Sequence, residues 1–168
     1  MTSGAASRPS SLTVVDGSDA RLVDAARTLF REYAESLGFD LAFQDFEREL
    51  AELPGDYAPP RGRLLVAVAA DEPAGCVGLR PLRDATAELK RLYVRPVHRG
   101  DGLGRRLTVA ALAAAREAGY ERVWLDTVPS MASAQALYRS LGFVDVEPYR
   151  FNPVPGTSFL GLELRRRR

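Results

Sequence analysis

The sequence predicts an α+β domain built on a mixed, mostly antiparallel sheet flanked by helices. Three observations carry this reading. Strand-type runs at RLLVAVAA (63–70), AGCVGLRPL (74–82) and TAELKRLYV (86–94) are separated only by DEP and RDA, short enough for hairpins, so they form an antiparallel meander. Two helical patterns then follow, each leading into a further strand, which adds crossovers to the hairpins. The resulting order, β-α-α-β-β-β-α-β-α-β-β, mixes both kinds of connection in one sheet.

Taken in order, residues 1–10 (MTSGAASRPS) form a flexible polar leader without the apolar centre of a signal peptide, and SLTVVD (11–16) is the first strand. Ser18 and Asp19 are helix-start residues for a run with Leu22, Ala25, Ala26, Leu29, Phe30 and Tyr33 at helical spacing, ended by Gly38. A second, short helix is expected over 43–53, up to the turn signal LPGD. Beyond the meander, 103–118 is alanine-rich and helical and closes at Gly119. RVWLDT (122–127) is a strand. Pro129 and Ser130 open a helix through Leu141, with Ser130 as its cap and Gly142 as its end. FVDVEP (143–148) and TSFLGLEL (157–164) are the last strands, on either side of the loop YRFNPVPG, so that 11–168 make one domain.

Composition narrows the function. A net charge of +1 argues against a nucleic-acid or membrane-surface partner, and the run Arg165–Arg168 alone is poor footing for nucleic-acid binding. One cysteine, Cys76, excludes an internal disulfide and a cysteine-rich zinc site; in the apolar stretch CVGL it reads as a buried small side chain. His98, the one histidine, excludes a His-rich metal site, makes a Ser-His-Asp hydrolase hard to build, and reads as a surface residue. The longest apolar run, LLVAVAA, is too short to span a bilayer, so the cytoplasm is the expected location.

The most informative stretch is RPVHRGDGLGRRL (95–107), with glycines at 100, 102 and 104 between a strand and a helix. A helix start leaves backbone N–H groups unpaired and carries partial positive charge; glycine admits positive φ and close approach. Such a turn suits a phosphate group, with Arg99, Arg105 and Arg106 adding charge. It lacks the Gly-Lys-Ser/Thr ending of a nucleotide-triphosphate loop, and its G-x-G-x-G spacing is not the dinucleotide fingerprint. What fits is R-x-x-G-x-G, from Arg99 to Gly104.

Here the chain resembles the GCN5-related N-acetyltransferase (GNAT) superfamily, which holds the pyrophosphate of acetyl-CoA in this loop. TAELKRLYV stands where the family's fourth strand does, and AQALYRSLGF (134–143) matches its late signature, A-x-x-L-Y-x-x-x-G-F. The resemblance runs from about residue 11 to 164. It implies a GNAT-like fold and acetyl-CoA as acetyl-donor cosubstrate. Leu92, Tyr93, Val94, Arg99, Gly100, Asp101, Gly102, Leu103, Gly104 and Arg105 are then the cofactor-binding residues. The backbone of 92–94 pairs with the pantetheine arm as a further strand would, and an N–H near Tyr93 faces the developing oxyanion.

The implied chemistry is direct attack of a primary amine on the thioester. An alkylamine with a pKa of about 10 is almost wholly protonated at pH 7, and a thiol leaves with a pKa of about 8.5, so both partners need proton transfer. By resemblance Tyr138 protonates the departing sulfur, although its place in the stripe Ala134, Leu137, Tyr138, Leu141 also suits a core residue. Glu88 matches the family's proton acceptor, with Tyr93 or a substrate-bound water as alternatives. Absent a bulge, Glu88, Lys90 and Leu92 share a strand face with Val94. One departure stands out: Met131 occupies the place of an asparagine that contacts the CoA arm in many members.

The family builds its acceptor site from the first two helices and the last inter-strand loop. In this chain those segments offer Phe39, Phe43, Tyr57, Tyr149 and Phe151 as walls, with Asp40, Asp45, Glu47, Arg150 and Asn152 as polar groups. Phe39, Phe43, Tyr149, Phe151 and Asn152 are the expected substrate contacts, suited to a small amine with an apolar part. The expected function is N-acetylation of such an amine, with no metal, nucleic acid or membrane involved and a homodimer compatible with the exposed late strands. Acetylation of a protein lysine or N-terminus, or CoA sensing without turnover, are the alternatives.

Overall fold

A computed structural model describes residues 12–16 and 19–165; the leader 1–10, Ser11, Gly17, the helix-start candidate Ser18 and Arg166–Arg168 lie outside the described residues. Seven strands form one sheet: β1 (Leu12–Asp16), β2 (Arg63–Ala69), β3 (Glu72–Arg83), β4 (Thr86–Val94), β5 (Arg122–Thr127), β6 (Val144–Asp145) and β7 (Ser158–Glu163), in the spatial order β1-β2-β3-β4-β5-β7-β6. Only β4 and β5 run parallel; every other neighbouring pair is antiparallel. The meander β2-β3-β4 closes through turns of two residues, Ala70–Asp71 and Asp84–Ala85, with left-handed backbone at Ala70, Asp71 and Asp84.

Helices α1 (Ala20–Ser36) and α2 (Phe46–Glu52) cover one face of the sheet, and α3 (Leu103–Glu117) covers the other; α4 (Ala132–Ser140) follows β5. Asp19 caps α1 as its sequence position predicts, accepting from the N–H groups of Arg21 and Leu22 at 3.1 Å. The α1 stripe buries Val23, Ala26, Leu29 and Phe30 against Val66 and Cys76. Cys76 is wholly buried, as its apolar setting implied.

Three local expectations change. The second helix is split: a single 3-10 turn at Ala42–Gln44 ends at Asp45, whose φ of 57° breaks the helical path before α2 begins. Ser130 is not a cap, because the chain turns first, with Met131 N–H donating to Val128, and α4 starts at Ala132 without a side-chain cap. The sixth strand keeps two residues of the six expected.

Two features of β4 position the site. Its pairing with β5 stops after Glu88↔Trp124, so the two strands diverge beyond that point and leave the β5-facing edge of Leu92–Val94 without a neighbouring strand. A bulge also lies in β4. Cys76 pairs with Tyr93 but Gly78 pairs with Lys90, which leaves Arg91 and Leu92 opposite one residue of β3, with Arg91 at φ 61°. Lys90 and Arg91 therefore both face the α1/α2 side, while Leu92 turns into the α3-side core together with Val94. The single face that Glu88, Lys90, Leu92 and Val94 would share without a bulge is thus divided.

Candidate functional site

Where β4 and β5 part, a cleft of about 590 Å³ opens between the end of β4, the loop entering α3 and the start of α4. Every residue predicted to hold the cofactor lines it except Asp101; His98, expected at the surface, lines it too. Gly100 and Gly102 have φ of 91° and 74°, and a Cβ at either would meet no protein atom within 4 Å. They keep a left-handed path open on the cleft side, which any larger side chain would strain and fill. α3 has no side-chain N-cap, and its first internal hydrogen bond runs from Arg106 N–H to Gly102, so the N–H groups of 103–105 are those a helix start leaves without intrahelical partners.

The two lining arginines are anchored beside this cradle. Arg99 Nε donates to the Val94 carbonyl at 2.9 Å with its guanidinium 5.9 Å from the Tyr93 ring, and Arg105 donates to Ser140 Oγ at 3.1 Å. Unpaired N–H groups, a helix dipole and two cations around an open cradle fit a phosphate-bearing group. The free edge of 92–94 runs into the same cleft and offers main-chain groups to an extended arm.

Two smaller chambers adjoin the cleft, and Tyr33 and Met131 line all three spaces. The first, about 30 Å³, is polar, with Gln44, Lys90, Asp126, Thr127 and Tyr138 in its wall. The second, about 20 Å³, is lined by Phe39 and Phe43, whose rings stack at 6.5 Å, together with Leu41, Asp126 and Asn152. Asn152 donates to Asp126 Oδ2 at 3.1 Å and so holds that carboxylate between the two chambers.

Tyr138 is 5% exposed, with its ring against Phe143, and its hydroxyl makes no hydrogen bond among the described residues. Burial pushes its pKa well above the ordinary phenol value, and Tyr33 and Asp126 add to the shift, so the hydroxyl keeps its proton at any physiological pH. Thr127 Oγ1 is buried without a partner in the wall of the same polar chamber.

Glu88 lies elsewhere. Its carboxylate is wholly buried and lines neither the cleft nor the chambers. It accepts from Arg80 Nε at 3.0 Å and from Tyr149 Oη at 2.7 Å, and it is paired with Arg150. Burial alone would raise its pKa, but Lys90, Arg150, Arg80 and the Tyr149 hydrogen bond outweigh burial and hold it below the usual carboxylate range. Of the expected substrate contacts, Phe39, Phe43 and Asn152 come together. Tyr149 instead packs between Trp124 and Phe159 while holding Glu88, and Phe151 is 75% exposed.

Lys90, Gln44, Asp126 and Thr127 were not singled out by sequence reasoning. The available signals were the chain's one lysine inside a strand and a carboxylate at the end of a central strand. No group of three potential metal ligands occurs among the described residues, and no helix there is long and apolar enough to cross a membrane.

Comparison with known proteins follows the same outline. Residues 23–143 match the model of the acetyltransferase (GNAT) family. An uncharacterised N-acetyltransferase of Schizosaccharomyces pombe is 36% identical over 159 residues, which span 94% of this chain and 98% of that protein. A GNAT-family acetyltransferase from Staphylococcus aureus superimposes with a TM-score of 0.77 at 18% identity, over 92% of this chain and all of the other, a likeness of fold. A GNAT family acetyltransferase from Elizabethkingia anophelis, solved with acetyl-CoA bound, matches with a TM-score of 0.53 at 25% identity, over 61% of this chain and 76% of the other.

Proposed function

The chain belongs to the acetyltransferase (GNAT) family, and we propose that it transfers the acetyl group of acetyl-CoA to the primary amine of a small molecule. The observation that carries this reading is the continuity of three spaces: a phosphate cradle, a free strand edge, and a chamber holding a protonated tyrosine.

Acetyl-CoA, the family's acyl donor, supplies an acetyl thioester when bound. The N–H groups of 103–105 with Arg99 and Arg105 would hold its phosphates, and the free edge of 92–94 would take its arm. A main-chain N–H near Tyr93 faces the carbonyl oxygen as negative charge develops. Tyr138 donates its hydroxyl proton to the departing sulfur. Asp126, not the occluded Glu88, takes up the amine's proton, since it is the carboxylate that shares a chamber with Tyr138. The amine attacks in its neutral form, after its extra proton has passed to solvent; its N–H then becomes acidic as the C–N bond forms, which lets a weak base accept the second proton. Glu88 acts as a buried counter-ion that fixes Tyr149 and Arg150 to the sheet.

The size and enclosure of the chambers support a small acceptor over a peptide laid in an open groove. Calorimetric titration with acetyl-CoA, CoA and dephospho-CoA tests the cradle, with micromolar binding expected. An amine panel on wild type and Tyr138→Phe tests turnover. Folded protein free of copurified CoA that binds none of the three would overturn the reading.

A further inference from the structure

Lys90 is the only lysine in the chain, is 6% exposed, and stands in the wall of the polar chamber. Its ammonium makes one hydrogen bond, to Gln44 Oε1 at 2.9 Å, and no carboxylate of the described residues pairs with it. The other cations on this face are paired: buried Arg91 is bound by Glu49, and half-buried Arg80 and Arg150 are bound by Glu88, Arg80 with Glu49 nearby. Four cations thus share two carboxylates, and Lys90 is the one left over. A buried charge with a single neutral partner is costly unless an anion joins it.

Opposite charge is available in the same chamber. Asp126 lines it alongside Lys90 and Tyr138, and reaches the neighbouring chamber walled by Phe39 and Phe43. Resting on the acetyltransferase reading above, we propose that Lys90 binds a carboxylate of the acceptor, which is therefore an α-amino acid with an apolar side chain. Its ammonium lies at Asp126 beside Tyr138, its carboxylate at Lys90, and its side chain towards the chamber walled by Phe39 and Phe43. One carbon separates the two charged groups of an α-amino acid, which matches a lysine and a carboxylate lining the same small chamber, and Asp126 is also the residue from which the neighbouring apolar-walled chamber is reached. An amine of the same shape without the carboxylate leaves Lys90 unpaired, and the site discriminates against it for that reason. Without the acceptor, burial and the charges of Arg91, Arg80 and Arg150 lower the lysine's pKa to about 7 against the opposing pull of Glu88. An arriving carboxylate restores the proton.

The test compares L-phenylalanine with 2-phenylethylamine, which differ only in the carboxylate, on wild type, Lys90→Met and Lys90→Arg. Binding to the CoA-loaded protein is read by calorimetry, and turnover by release of free thiol from acetyl-CoA. Wild type is expected to prefer phenylalanine at least tenfold in both readouts. Lys90→Met loses that preference by a factor of ten or more, and Lys90→Arg keeps part of it. Lys90→Met removes a buried cation, and a thermal melt confirms that it folds. Equal treatment of the two acceptors by wild type, or an equal loss for both in Lys90→Met, overturns the inference and leaves the acetyltransferase reading standing. If CoA binds but neither compound is bound or acetylated, the inference again fails. Only absence of acetyl-CoA binding also removes the function on which it rests.

Discussion

The Tyr149 hydroxyl donates a 2.7 Å hydrogen bond to Glu88, a carboxylate with no solvent exposure, and so ties the loop before β7 to the middle of the sheet. Arg80 and Arg150 complete the cluster, which makes Glu88 a counter-ion to buried cations. Tyr149→Phe is expected to cost about 1.5–3 kcal/mol, the range for a hydrogen bond to a charged group. Glu88→Gln costs more, about 3–5 kcal/mol, because it strands two cations. Since Glu88's folded pKa is depressed, its contribution is present above the unfolded carboxylate value and is lost as pH falls through the folded one. The stability gap between wild type and Glu88→Gln, measured by urea denaturation, therefore narrows below about pH 4. If turnover per folded molecule in Glu88→Gln fell a hundredfold, Glu88 would be the proton acceptor after all.

Gly104 gives a cleaner probe of the cradle than its neighbours. Gly100 and Gly102 hold left-handed backbone, so substituting either mixes strain with blockage. Gly104 lies in the first turn of α3 without positive φ, and a Cβ there would sit 3.6 Å from Leu137 and 3.9 Å from Val94, ordinary contacts in the cleft wall. Gly104→Ala should leave the melting temperature unchanged or higher, because alanine favours helix by up to about 1 kcal/mol. The added methyl should weaken acetyl-CoA at least tenfold by calorimetry. Loss of stability with unchanged affinity would remove the cradle from the site.

How far the sequence reached is clearest on β4. The limits of that strand, its antiparallel partner and the glycine turn beyond it were all legible, because hairpin spacing and glycine chemistry are local signals. A bulge entered the sequence reading only as a condition on the strand's facing, and its place at Arg91 was not legible, yet it decides which side chains reach the polar chamber. It sends Leu92 to the α3 side and keeps Lys90 facing Gln44, a contact across 46 positions of sequence that no strand alternation contains. Tyr149 and Phe151 lie away from the chambers for a related reason. Both looked like loop aromatics, but whether such a ring enters a pocket, packs on Trp124 or stays in solvent depends on a loop path set by distant charges. Phe39, Phe43 and Asn152 do line one chamber, Phe39 just beyond the end of α1, Phe43 in the 3-10 turn and Asn152 through its hydrogen bond to Asp126.

Tyr138→Phe separates the acid role from packing. The ring rests on Phe143 and its hydroxyl has no hydrogen-bond partner among the described residues, so removing the oxygen should change stability by less than about 1 kcal/mol. Turnover should fall by about 10²-fold or more while acetyl-CoA affinity holds, the pattern of a lost transition-state proton donor. A loss in acetyl-CoA affinity with turnover preserved at saturation would instead make Tyr138 a wall of the cofactor cleft.

Lys90 makes the unliganded protein's stability depend on pH in an unusual direction. Its folded pKa of about 7 lies below the ordinary lysine value, so between the two the unfolded chain binds the extra proton. Stability from this group therefore rises as pH climbs from 7 towards 10, and the full penalty of burying the charge applies below 7. The groups facing it are Glu88 on its own strand, Arg80 on β3, Arg91 at the bulge, Arg150 from the last loop, and Asp126 on β5; Glu88 is held below the usual carboxylate range and Arg80 and Arg91 above the usual guanidinium value, so these three keep their charges there. Tyr33 on α1 and Tyr138 on α4 stay protonated, since burial raises both, and Gln44 does not titrate. Lys90→Met should thus gain on wild type at pH 6 and lose that advantage by pH 9–10, measured by urea denaturation at each pH. The acceptor reverses the balance. Calorimetry of phenylalanine binding in buffers of different ionisation enthalpy should show proton uptake at pH 8, absent in Lys90→Met. Binding without proton uptake at that pH would place the carboxylate away from Lys90.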